Sequence, residues 1–156
     1  MLGKGYGRSV YVTRKNRFAI SCFDENNRTL IPNCFVQVGC KPAIPQFKTI
    51  IDKDNNVETI KFPGEFDFTQ YFINYGGPEG ESKKQFDAMS HLVNDAKYVS
   101  LCVYDGYGNR IAKWEFVNTK ITLLPETVIK DKNEIIAKWH IQYEDCNYVK
   151  SKVEYT

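Results

Sequence analysis

No stretch of this chain approaches the roughly 20 consecutive apolar residues that cross a bilayer as a helix, so the sequence predicts no membrane anchor. The opening MLGKGYGRSV lacks the apolar centre of a secretory leader, and synthesis in the cytoplasm is the expectation. Histidine is scarce: His91 and His140 have no local partner at metal-ligand spacing, so no metal site is expected. The five cysteines (Cys22, Cys34, Cys40, Cys102, Cys146) are an odd number and form no C-x-x-C pair. That pattern favours buried free thiols acting as small hydrophobes. No serine sits in a G-x-S-x-G elbow, and no carboxylate pair lies in an apolar setting that would tune an acid and a base. Catalytic residues are therefore not expected, and neither is a cofactor: GKGYGR lacks the Gly-Lys-Ser/Thr ending of a phosphate loop. Asp52-x-Asp54-x-Asn56 starts like a calcium loop, but Val57 stands where glycine is required and Pro63 where the closing glutamate belongs. Charge runs are missing too. The 21 Lys and Arg and 19 Asp and Glu are scattered, which offers no basic face for gripping nucleic acid.

Aromatics are plentiful, with ten Phe, ten Tyr and two Trp in 156 residues, enough to fill the core of a single domain. Residues 1–15, rich in Gly and basic side chains, read as a flexible N-terminal arm, and residues 16–156 as one domain. Period-two alternation and turn residues predict strands over 17–23, 34–40, 47–51, 57–62, 66–73, 98–104, 110–117, 119–124 and 135–143. Asn55-Asn56 suits the positive φ angles of a tight turn, which makes about 44–62 a projecting hairpin. One helix is expected over about 79–95, with Glu79 and Glu81 at its positive end, Phe86, Met89 and Val93 on one stripe, and Ala88, Leu92 and Ala96 widening it. Strands before and after a lone helix, joined by short turns, predict a mainly β fold: an antiparallel sandwich or barrel with the helix on its edge or end.

The order of these segments carries a resemblance. FAISCF, then CFVQVGCKPAIP, a long hairpin, PGEFDFTQYFINYGGPEGESKKQFDAMSHLVNDA, KYVSLCVYDGYGNRIAKWEFVNTKITLLP and a final IIAKWHIQYEDC together resemble the tail tube proteins of contractile, T4-like phage tails and related injection systems, over about residues 17–149. The resemblance implies a non-enzymatic virion structural protein whose strands join a hexameric ring β-barrel, with stacked rings conducting DNA during sheath contraction. It leaves open a baseplate tube-initiator of the same fold, or the tube protein of a bacterial contractile injection or secretion system. Implied partners are further copies of the chain, a sheath protein, baseplate and tail terminator proteins, and DNA passing through without specific binding. A lumen that does not hold phosphate should be polar and acidic; Asp67, Thr69, Lys113 and Glu115 are lumen candidates. Contacts between subunits or rings are expected at Tyr6, Tyr11, Ile44, Pro45, Phe47, Ile50, Val57, Ile60 and Phe62.

Overall fold

Alternation of apolar and polar residues decides which way each strand faces. In a computed structural model, which describes residues 18–74 and 76–150, that alternation is clearest in β5 (Gly64–Ile73). There Phe66, Phe68 and Phe72 point into the core and Glu65, Asp67 and Tyr71 point out. The other strands are β1 (Phe18–Phe23), β2 (Thr29–Val38), β3 (Gln46–Ile51), β4 (Val57–Phe62), β6 (Tyr98–Tyr104), β7 (Arg110–Val117), β8 (Lys120–Leu123), β9 (Val128–Asp131), β10 (Glu134–Tyr143) and β11 (Asp145–Lys150). The helix α1 (Glu81–Leu92) runs on into a 3-10 turn at Val93–Asp95. The fold is mainly antiparallel β with this one α-helix among the described residues.

Two bent strands close the main sheet on itself. β7 and β8 are separated by Asn118 and Thr119, β10 and β11 by Glu144 alone, and one register runs through both bends: Ala112 lies opposite Lys150, Val117 opposite Asp145 and Lys120 opposite Gln142. The bend is held by the Glu144 N–H, which donates to the Val117 carbonyl at 3.0 Å. β10 then pairs with β5, β5 with the end of β2, β2 with β1, β1 with β6 and β6 with β7. Counting each bent pair as one strand gives a closed six-stranded barrel. Its interior holds a file of aromatics: Phe72–Phe86–Trp139–Phe68–Phe66–Phe116–Tyr143, with successive ring centroids 4.4–6.4 Å apart.

Three of the hairpin loops share one architecture. In residues 24–28, 52–56 and 105–109 the leading aspartate carboxylate accepts the N–H groups of the second and fourth residues after it. The fourth residue of each loop, Asn27, Asn55 or Gly108, takes a positive φ, a backbone state that Asn and Gly tolerate best. Asn56 does not share it, since a three-residue turn with one bulge needs only one such position.

The structure departs from the sequence expectation in several places. β2 starts at Thr29, and Pro32 and Asn33 together face Ser21 of β1 as a bulge, where a missing N–H does no harm. Cys40 lies beyond the strand and is exposed. β9 and β11 were not anticipated, because their side chains are mostly exposed and show no alternation; pairing with β10 and β7 makes them strands. The helix starts at Glu81, after Gly80 at φ 82°, and Ala88 faces solvent. Its N-terminus sits on the β9–β10 turn: the Lys83 N–H donates to the Lys132 carbonyl, the Ser82 hydroxyl to the Asn133 carbonyl, and the Gly80 N–H to Asn133 Oδ1.

Candidate functional site

β3 and β4 form a two-stranded ribbon outside the barrel. Its base is tightly fixed. Pro42 is buried, the Ala43 N–H donates to the Glu65 carbonyl at 3.2 Å, and the Tyr143 hydroxyl donates to the Ala43 carbonyl at 2.5 Å. Gly64 lies in the same spot, where a Cβ would come 2.2 Å from the Tyr143 ring and 2.4 Å from the Ala43 carbonyl oxygen. Burial pushes the Tyr143 hydroxyl well above the ordinary tyrosine range, so it remains the donor to Ala43.

Beyond that base the ribbon has almost no cover. Cross-strand pairing places Phe47, Ile51, Val57 and Lys61 on one face and Lys48, Ile50, Ile60 and Phe62 on the other. Phe47 is 69% exposed, Val57 67% and Ile51 64%. Each face has an ammonium over a ring, Lys48 Nζ 4.9 Å from the Phe62 centroid and Lys61 Nζ 5.6 Å from that of Phe47. Neither strand pairs with anything but the other among the described residues, so both outer edges carry free backbone groups. A lone two-stranded hairpin is marginal in water, and concentrated apolar exposure of this kind marks a contact surface.

Most of the expected contact residues fall on this one element: Phe47, Ile50, Val57, Ile60 and Phe62 lie on the ribbon, with Ile44 and Pro45 at its foot. Ile60 and Pro45 are half-buried, the others exposed. Tyr6 and Tyr11 lie outside the described residues. Ile51 is exposed on the same face as Phe47, a placement legible in the β3 alternation.

The four lumen candidates are not brought together. Phe66 of β5 and Phe116 of β7 meet across the core at 5.2 Å, so the outward residues of those strands look in opposite directions. Asp67 and Thr69 lie on one outer face, Lys113 and Glu115 on the other, the latter pair with N···O at 3.9 Å. Asp67 also has a partner that its own segment conceals: β5–β10 pairing sets His140 Nδ1 2.5 Å from Asp67 Oδ1, with His140 Nε2 3.5 Å from Glu65 Oε2.

A second surface had not been anticipated. Among the described residues β5 pairs with β2 only at Gln37 and Val38, and β2 keeps an unpaired edge over residues 29–36. Helix α1 sits over this gap and leaves a groove lined by residues such as Leu30, Phe35, Tyr71, Gln85, Ala88 and Leu92, with no charged side chain. Gln70 also lines it. That residue occupies an inward position of β5, is 6% exposed, and has an Oε1 with no hydrogen-bond partner among the described residues. A glutamine at a core position of an aromatic strand was the legible signal.

The thiols are all free. Burial, with a smaller contribution from Cys34, pushes the Cys22 thiol up to about 12. Among the described residues no group of His, Cys, Asp and Glu side chains has the arrangement of a metal site, and no helix is long and apolar enough to cross a membrane.

No family model and no curated protein matches the chain. Solved structures do. The sheath-tube complex of an extracellular contractile injection system (PVC, extended state) contains a chain 14% identical, covering 87% of this chain and 90% of that one, with a TM-score of 0.44. Hcp1 of E. coli EAEC 042 is 12% identical, covering 85% and 90%, with a TM-score of 0.46. A chain of the anti-feeding prophage baseplate is 13% identical, covering 88% and 95%, also with a TM-score of 0.46.

Proposed function

We propose that this chain is a structural, non-catalytic subunit of a tail-type tube, assembling with copies of itself into stacked hexameric rings. The observation that carries the reading is the β3–β4 ribbon, an element anchored firmly at its base yet carrying exposed large apolar side chains on both faces and, among the described residues, unpaired on both edges. Natural proteins cover or blunt such edges, and a neighbouring copy is the partner that a repeating assembly always supplies. The ordered resemblance of residues 17–149 to tube proteins agrees with this role, including the sheath, baseplate and terminator proteins as further partners. In this reading the tube stays rigid while a sheath contracts, and DNA crosses the lumen without specific binding. The barrel fits the passive part of that task, because its closed ladder and aromatic interior give a rigid building block whose outer faces remain for contacts.

Negative-stain microscopy of the purified protein tests the proposal. Rings about six-fold symmetric, or tubes with a hollow axis, are the expected result. Single compact particles at every concentration would refute it.

A further inference from the structure

The ribbon and the groove occupy opposite ends of the molecule. β5 connects them: the ribbon joins at Gly64, and the groove lies beside Gln70, Tyr71 and Phe72 at the other end of the strand. Seven residues at about 3.3 Å each put roughly 23 Å between Gly64 and Tyr71. The ribbon's foot lies near β11, where Lys61 Nζ is 3.9 Å from Asp145 Oδ1, away from α1.

We propose that the groove between α1, β2 and β5 seats the β3–β4 ribbon of a second copy, so that copies join head to tail. This inference rests on the tube reading and specifies where its ribbon docks. Three observations favour this occupant. The groove has no charged lining residue, matching the apolar faces that the ribbon presents around Phe47, Ile51 and Val57. Among the described residues β2 has a free edge beside the groove, and both ribbon strands have free edges, the requirement for strand addition. Finally, Gln70 lines the same groove, and its Oε1 has no hydrogen-bond partner among the described residues. Because donor and acceptor surfaces differ and lie at opposite ends, the contact is heterologous and does not close on a pair; depending on the rotation between copies it closes a ring or runs on as a polar stack.

Two exposed positions test this without touching the core: Ala88→Arg puts a charge in the groove, and Phe47→Glu puts one on the ribbon. Circular dichroism checks that each retains its fold, and sedimentation velocity reads assembly. Each variant alone should associate at least about tenfold more weakly than the wild type, while Ala88→Ser should associate normally. A mixture of the two variants should recover a limited association, since one keeps an intact ribbon and the other an intact groove. If Ala88→Arg assembles normally and Phe47→Glu does not, the ribbon docks elsewhere and only this inference falls. If Ala88→Arg fails and Phe47→Glu assembles normally, another segment occupies the groove and the inference also falls. Wild-type protein that never associates overturns both this and the tube reading.

Discussion

At the scale of single residues, Gly64 shows most directly how the ribbon is held. Its hydrogen points at the Tyr143 ring and the Ala43 carbonyl, one a packed aromatic and the other backbone, and neither can retreat cheaply. Gly64→Ala should therefore destabilise the chain by about 1–3 kcal/mol, as overpacking does. A lowered thermal midpoint together with faster hydrogen exchange in the ribbon is the expected outcome; an unchanged midpoint would mean that the foot is looser than the geometry indicates. Cys22 makes a pH prediction with a definite sign. Its thiol ionises near 9.0 when unfolded but is held up to about 12 by burial in the fold. The protonated form is the one that folds, so stability is complete below the ordinary thiol range and declines as pH rises through the window toward 12. Between about pH 9 and 11, the wild type should lose urea resistance faster than Cys22→Ala, and parallel losses would contradict the burial effect.

At the scale of elements, the helix is a stopper whose inner stripe completes the aromatic file. Phe86 meets Phe72 edge-on at 5.8 Å and Trp139 at 6.3 Å. Phe86→Ala should cost roughly 3–5 kcal/mol, visible as a lower denaturation midpoint; a neutral effect would show that the stripe is not packed. The aromatic strand and the Asp-led turns could be read from the chain alone because alternation and turn chemistry are local properties. The same holds for the ribbon, whose prolines and Asp-x-x-Asn tip mark it before any contact is known. β9 and β11 could not be read in this way. Val128–Asp131 and Asp145–Lys150 are strands only because β10 and β7 lie beside them, and a partner distant in sequence leaves no local trace. The groove was hidden for the same reason, since it depends on β2 parting from β5 after two paired residues. The tie of His140 to Asp67 spans 73 residues and is likewise a product of register.

At the scale of the whole molecule, the barrel closes on itself while the ribbon stands outside it. The ribbon's outer edges, the β2 edge over residues 29–36 and large exposed side chains remain without partners among the described residues. Self-association through the ribbon would make sedimentation velocity depend on the ribbon over a wide concentration range. The comparison is between the intact chain and a variant in which residues 46–62 are replaced by a short Gly-Ser linker. The intact chain should shift to large, polydisperse species as concentration rises, while the linker variant stays a folded monomer throughout. Identical sedimentation of the two, whether both monomeric or both assembled, would contradict it.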